Sequence, residues 1–190
     1  MVSRFILASA SPRRAELLAA AGFDFDVAPA DVDEAPRPEE PPRDYVLRIA
    51  RAKADAVANL QNGARAVLAA DTTVVVDGWL MGKPKDAREA AVMLRALSGR
   101  VHDVHTGVVV QTRTTHRAAI ETTQVRFHPL ADDEIAWYIE TGEPMGKAGA
   151  YGIQGRAARF IERIEGSWSN VVGLPISTVY RLLNEVRISD

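Results

Sequence analysis

Apolar and polar positions along the 190-residue chain change period several times, and each change predicts an element. Arg4 to Ala8 is an almost unbroken apolar run, the pattern of a strand covered on both faces. A helix follows over about Arg13 to Ala21, with Ser11 in the N-cap position, Pro12 at the first helical position, Leu17 and Leu18 beginning an apolar face, and Gly22 as the stop. Phe23 to Ala28 alternates like a second strand. The proline-rich, acidic stretch 29–43 has no period and is read as an ordered loop. At 100° per residue Val46, Ile49, Ala50, Ala54, Val57 and Leu60 share one arc of a helix over Asp44 to Leu60. Lys53 lies inside that arc, whereas Arg48, Arg51 and Asp55 point away from it. Ala66 to Gly78 reads as one long strand or a strand pair, and Ala87 to Leu97 as a helix stopped by Ser98 and Gly99. Residues 101–112 and 116–129 read as two strands, 131–140 as a helix, Phe160 to Ile164 as a short strand and Pro175 to Val186 as a closing helix. Trp137, Tyr138 and Trp168 are taken as core. Strands and helices alternate without a strict βαβ rhythm, which predicts an α/β fold with a mixed sheet covered by helices in one domain, 1–190.

Composition narrows the function. A chain of this length buries well over half of its unfolded surface, enough for a core with a site in it. A net charge of -2 and a pI near 6.1 argue against coating nucleic acid through bulk electrostatics, so any basic site is local. The absence of cysteine excludes disulfides, thiolate metal sites and a cysteine nucleophile. His102, His105, His116 and His128 lack the HExxH spacing of a zinc hydrolase, and the first two are read as strand or loop residues. No signal peptide precedes "RFILAS" and no apolar run approaches the length of a membrane span, so the expected location is the cytoplasm.

Several charges sit where simple folding rules would not put them. Arg13 and Arg14 fall in the first turn of a helix, where the exposed N–H groups already make the potential positive, and so ask for an anion. Asp71 is the only charged residue from Ala66 to Val76, and a carboxylate in an apolar strand needs a partner. Period two puts Asp71 and Thr72 on opposite faces of a regular strand. Lys83 is held in a Gly-Lys-Pro turn. Gly146, Gly149, Gly152 and Gly155 let backbone N–H groups approach a ligand, but the stretch fails the P-loop pattern: Pro144 interrupts it and Ala148 stands where Ser or Thr would bind magnesium. Each feature has an ordinary reading, Lys53 as a snorkelling lysine and Asp71 as a strand-end cap. Together, Arg13, Arg14, Lys53 and Lys83 against Glu34 and Asp71 suggest a polyphosphate, a bridging divalent metal and a base for water.

The segments "LASASPRRAELL", "VDE" at 32–34, "RAKA" at 51–54, "AADTTVVVDG", "GKPKDAREAAVMLRALSGRVHDVHTGV", "ETGEPMGKAGAYGIQG" and "IEGSWSNVVGLP" resemble, in order and spacing, the Maf family of nucleoside triphosphate pyrophosphatases over nearly the whole chain. The resemblance implies an elongated, twisted mixed sheet flanked by helices with a deep cleft, similar to the inosine triphosphate pyrophosphatase-like (Maf/Ham1) fold. It implies hydrolysis between the α and β phosphates with Mg²⁺ or Mn²⁺. Carried onto matching positions, Asp71 is the proton acceptor, Arg13, Thr72 and Gln154 discriminate substrate, and Ser9, Arg14, Glu34, Lys53 and Lys83 are further polar site residues; the metal carboxylates expected on the reading of the charges above are Glu34 and Asp71. "GAYGIQG" and "GSWSNVVGLP" look like the dTTP/UTP branch of the family, not the 7-methyl-GTP branch. Gln154 suits that branch because a neutral amide both donates to and accepts from the O4 and N3–H edge of uracil or thymine. Gly146 departs from relatives that commonly carry Asp before Lys-Ala-Gly. A homodimer is common among relatives. The alternative readings are a pyrimidine-nucleotide-binding regulator of cell division without significant turnover, and a 7-methyl-GTP pyrophosphatase.

Overall fold

The computed structural model describes residues 4–60 and 65–189, with the side chains of 187–189 left aside. Its strands are β1 (Phe5–Leu7), β2 (Phe25–Val27), β3 (Val67–Val76), β4 (Trp79–Met81), β5 (Val101–Gln111), β6 (His116–Phe127) and β7 (Ile161–Glu165). The helices are α1 (Pro12–Ala20), α2 (Pro42–Leu60), α3 (Ala87–Leu97), α4 (Asp132–Glu140), α5 (Trp168–Val172) and α6 (Ile176–Ser189). Among the described residues the strands form one seven-stranded sheet in the order β2-β1-β3-β5-β6-β7, with β4 paired to β3. It is mixed: β1 runs parallel to β2 and β3, while the β3–β4 and β6–β7 pairs are antiparallel. No described helix is long and apolar enough to cross a membrane.

The chain packs as two compact units. Residues 1–72, 106–121 and 173–190 make up one, and 73–105 and 122–172 the other, so β3, β5 and β6 each contribute to both. In the first unit, α2 lays Val46, Ile49, Ala50, Ala54 and Val57 into the core, as its periodicity predicts. Leu60 departs from that expectation. It is 80% exposed, because it is the last residue of the helix and lies past the packed turns. Helix α2 and β5 approach each other so closely that a Cβ on Gly107 would stand 2.5 Å from the Val46 carbonyl oxygen, which only a residue without a side chain permits. The proline-rich loop is bonded to α2. Arg48 bonds the Glu40 carboxylate with Nε (2.5 Å) and Nη2 (2.6 Å) and the Ala35 carbonyl at 3.1 Å, and the Tyr45 hydroxyl donates to the Glu34 carbonyl at 3.0 Å. The fork geometry of the pair and its salt-bridged carboxylate pull Glu40 down to a pKa of about 2.

The second unit has its own core, built on Met81, Met93, Leu94, Leu97, Phe127, Tyr138 and Phe160. Tyr138 is fully buried, as expected of a core aromatic, but Trp137 and Trp168 are not. Trp137 turns outward and lies under the Arg159 guanidinium, 4.6 Å from its ring centre, a contact that local apolar content does not reveal. Helix α5 is a single short helix that the sequence pattern does not announce. It places Asn170 in the interior, where its amide donates to the Val104 carbonyl and the Thr123 hydroxyl.

His102 and His105 are strand residues, both on β5. His105 Nδ1 meets the Thr122 hydroxyl at 2.9 Å. His102 is 2% exposed, stands edge-on to Phe127 and Tyr151, and meets the Tyr151 hydroxyl through Nε2 at 2.9 Å. Burial pulls its pKa down to about 4, so the folded protein holds a neutral imidazole where the unfolded chain carries an ordinary histidine. The unfolded chain therefore binds the extra proton first as pH falls, and stability is lost from about pH 6.5 down to about 4. The expected loss over that window is roughly 3 kcal/mol. Urea titrations at pH 7.5, 5.5 and 4.5 measure it, and His102→Gln should flatten the acid limb. An unchanged pH dependence in that variant removes His102 as its source.

Candidate active site

The first unit gathers two linked groups of polar side chains. Strand β1 leads through a short turn into α1. Ser11 occupies the predicted N-cap position and Pro12 the first turn, but the Ser11 side chain makes no cap bond. The Ser9 hydroxyl accepts instead, from the Ser11 N–H at 3.2 Å and from Arg14 Nη1 at 3.2 Å. Arg14 turns inward and is 8% exposed. Its Nε donates to the Gly173 carbonyl (2.8 Å), its Nη1 also to the Ala70 carbonyl (2.7 Å), and its Nη2 to the Thr72 hydroxyl (3.1 Å). Thr72 in turn donates to the Gly173 carbonyl at 3.2 Å and meets the Thr106 hydroxyl at 2.9 Å. Four of the five guanidinium N–H bonds are thus directed at the protein. Arg13 stays half-buried beside it on the same turn.

Burial lowers the Arg14 pKa, with the Asp71 charge opposing the shift, yet a guanidinium remains protonated at any physiological pH. The cation that looked misplaced in a positive helix start is therefore matched by backbone carbonyls and by a neighbouring carboxylate. That carboxylate belongs to the second group.

Strand β3 runs unbroken through Asp71 and Thr72, so the two residues serve different neighbours, as period two requires. Lys53, the charged residue inside the apolar arc of α2, is 7% exposed and meets Asp71 Oδ1 at 2.7 Å and Glu34 Oε1 at 2.6 Å. One ammonium thus bridges two carboxylates from three separate elements. The Asp71 side chain is 10% exposed and that of Glu34 42%, so one acid is largely buried and the other is open to solvent. Burial raises the Asp71 pKa above the ordinary carboxylate value, against the pull of Lys53 and Arg14. The same surroundings push the Tyr45 phenol up to about 12, through burial and the charges of Asp71 and Glu34. A buried carboxylate with a raised pKa beside a fixed cation is a general base in form.

Lys83 and Gln154 belong to the second unit, and both are exposed. The turn that carries Lys83 is tied to the glycine-rich segment through a bond from the Gly149 N–H to the Gly82 carbonyl, 3.1 Å. The residues that sequence reasoning missed are those holding the others in place: Tyr45 and Arg48 on the Glu34 loop, and Thr106 and the Gly173 carbonyl on Thr72 and Arg14.

No group of three or more metal-binding His, Asp or Glu side chains occurs among the described residues. Glu34 and Asp71 nonetheless offer hard oxygen donors within reach of one cation, as their shared ammonium demonstrates. Two carboxylates completed by substrate phosphates are a donor set that suits Mg²⁺ or Mn²⁺.

The family model of Maf-like proteins matches residues 4–186. A protein of Anaeromyxobacter dehalogenans (strain 2CP-C) named dTTP/UTP pyrophosphatase is 52% identical over 187 residues, covering 96% of this chain and 94% of its own. One of the same name from Citrifermentans bemidjiense is 52% identical over 186 residues, with 97% and 96% covered. Another, from Methylobacillus flagellatus, is 49% identical over 189 residues, with 99% and 95% covered. Among solved structures, the Staphylococcus aureus Ham1 protein aligns with 68% of this chain and 73% of its own at a TM-score of 0.48 and 16% identity. By the family model and by these near full-length identities, the chain belongs to the Maf family.

Proposed function

We propose that the chain, acting as one functional domain in the cytoplasm, hydrolyses dTTP and UTP to the monophosphate and pyrophosphate. The observation that carries this reading is the Lys53–Asp71–Glu34 cluster, a largely buried base and a more exposed carboxylate on one ammonium. The name shared by relatives at about half identity supports the pyrimidine substrates. Asp71 takes the proton of the attacking water as its oxygen bonds to the α phosphorus, and the bond to the bridging oxygen breaks to release pyrophosphate. Arg13, Lys53 and Lys83 are assigned the triphosphate charge. Arg14, fixed by Ser9, Thr72 and two carbonyls, adds its charge as part of the framework. Gln154 is assigned the pyrimidine edge, where its amide satisfies both O4 and N3–H. Glu34 and Asp71, with the substrate phosphates, would hold a divalent cation, which would supply further neutralisation of phosphate charge.

The test is incubation with dTTP, UTP, CTP, GTP and 7-methyl-GTP in Mg²⁺ or Mn²⁺, with pyrophosphate and orthophosphate assayed separately. Pyrophosphate from dTTP and UTP is expected. Tight nucleotide binding with no pyrophosphate release marks a non-hydrolytic binder, and preferential cleavage of 7-methyl-GTP marks the other branch; either result overturns the proposal.

A further inference from the structure

Glu143 lies just past the end of α4, outside the groups described so far, and its carboxylate collects donors from three directions. Oε1 accepts from the Tyr138 hydroxyl at 2.9 Å, and Oε2 from the Arg156 N–H at 3.0 Å. A longer contact of 3.5 Å joins Oε1 to the Ala157 N–H. The Tyr138 hydroxyl, while donating to Glu143, accepts the Gly152 N–H at 3.2 Å. The backbone is thus tied to one carboxylate on both sides of a three-residue bridge, Ile153-Gln154-Gly155. Ile153 is 7% exposed and anchors the bridge from below, leaving the Gln154 side chain exposed. Gly155 closes the arrangement: a Cβ there would fall 2.3 Å from Glu143 Oε1 and 2.6 Å from Oε2, so the carboxylate occupies the space a side chain would need.

An acceptor-only group is what these donors require. A glutamine at 143 has only one acceptor oxygen, so it could not accept from the Tyr138 hydroxyl with one atom and from the Arg156 N–H with the other, and its NH₂ turned toward a backbone N–H would meet a group that cannot accept. Bonds from neutral donors to an ionised carboxylate are also stronger than neutral pairs, which suits a group that holds a loop still.

We propose that Glu143, acting with Tyr138, is a positioning residue for base selection: it fixes the height and orientation of the bridge so that the Gln154 amide meets a pyrimidine edge in one geometry. The proposal rests on the pyrimidine triphosphate reading given above. UTP and CTP are the diagnostic pair, since they share ribose and triphosphate and differ only at the base edge that an amide reads. A role confined to stability lowers turnover of both in proportion and leaves their ratio unmoved.

The experiment measures kcat/KM for UTP and CTP in wild type, Glu143→Ala, Tyr138→Phe and Gln154→Ala, with thermal unfolding of each. Gln154→Ala sets the floor of discrimination. Glu143→Ala should lower the UTP:CTP ratio about tenfold, the effect of one misdirected polar contact, and Tyr138→Phe about threefold. If Glu143→Ala fails to fold, the Tyr138→Phe ratio decides, because the ring and its packing are retained. A selective wild type whose ratio is unchanged in the two loop variants overturns this inference alone. A wild type that releases no pyrophosphate from UTP, or does not prefer UTP to CTP, overturns the functional reading and this inference with it.

Discussion

Asp71→Asn should lower kcat by about 10²–10⁴ while leaving KM for UTP within a few-fold, because the amide fills the same space and cannot take a proton from water. The fold should survive. Asp71 has its pKa raised by burial, so the folded state favours the neutral form and the contribution of this group to stability falls as pH rises above the ordinary carboxylate range. A neutral isostere relieves that cost, and Lys53 keeps Glu34 at 2.6 Å as a partner. The melting temperature at pH 7.5 is therefore expected to equal or exceed that of wild type. A variant that is folded and turns over UTP at the wild-type rate removes Asp71 from the chemistry. A variant that is slow only because it is unfolded would show in the melting curve.

Lys53→Met should have the opposite balance, a large loss of stability together with the loss of activity. Methionine matches the length of the lysine stem and suits the apolar arc formed by Ile49, Ala50, Ala54 and Val57. What it removes is the ammonium that Asp71 and Glu34 share. Two neighbouring carboxylates, one of them buried, then lack their counter-charge, and breaking a buried pair in this way costs about 3–5 kcal/mol. Urea unfolding at pH 7.5 measures the loss. Two further observations identify its origin: Lys53→Met should recover stability as pH is lowered enough to protonate Asp71, and adding Asp71→Asn should restore much of it in the double variant. A Lys53→Met protein within 1 kcal/mol of wild type, on the scale of exposed pairs, would show that the lysine snorkels and that the bridge has little energetic weight.

The contrast between these two residues shows what the sequence could disclose. Lys53 was legible because a helix imposes a period, and one charge on an apolar arc breaks it. Asp71 was legible for the same reason on a strand. The regular elements were legible too, since α2, β3 and β5 are long enough for their burial pattern to repeat. What escaped was whatever depends on backbone groups or on a single side chain. The Gly173 carbonyl that receives Arg14 has no residue signature, because every residue carries a carbonyl. Leu60 and Trp137 are apolar in type and exposed in place, and only the end of a helix in one case and a guanidinium in the other accounts for them. Glu143 reads as one more acid in a glycine-rich loop until the donors around it are seen. The two adjacent arginines of α1 divide in the same way. Their charge was visible in advance, but that Arg14 is enclosed by carbonyls and hydroxyls while Arg13 is only half-buried follows from the inward turn of one side chain.

The bonds of Arg14 also bear on the order of events during synthesis. Its partners at Ser9, Ala70 and Thr72 are made early, but the Gly173 carbonyl lies 159 residues along the chain. Contacts of such separation form late, after the entropy of closing a long loop has been met by other packing. On a ribosome, β1, α1 and β3 are made long before the carbonyl that completes the guanidinium's shell has left the exit tunnel. A nascent chain stalled before Gly173 would hold the buried Arg14 cation without the carbonyl to which its Nε donates.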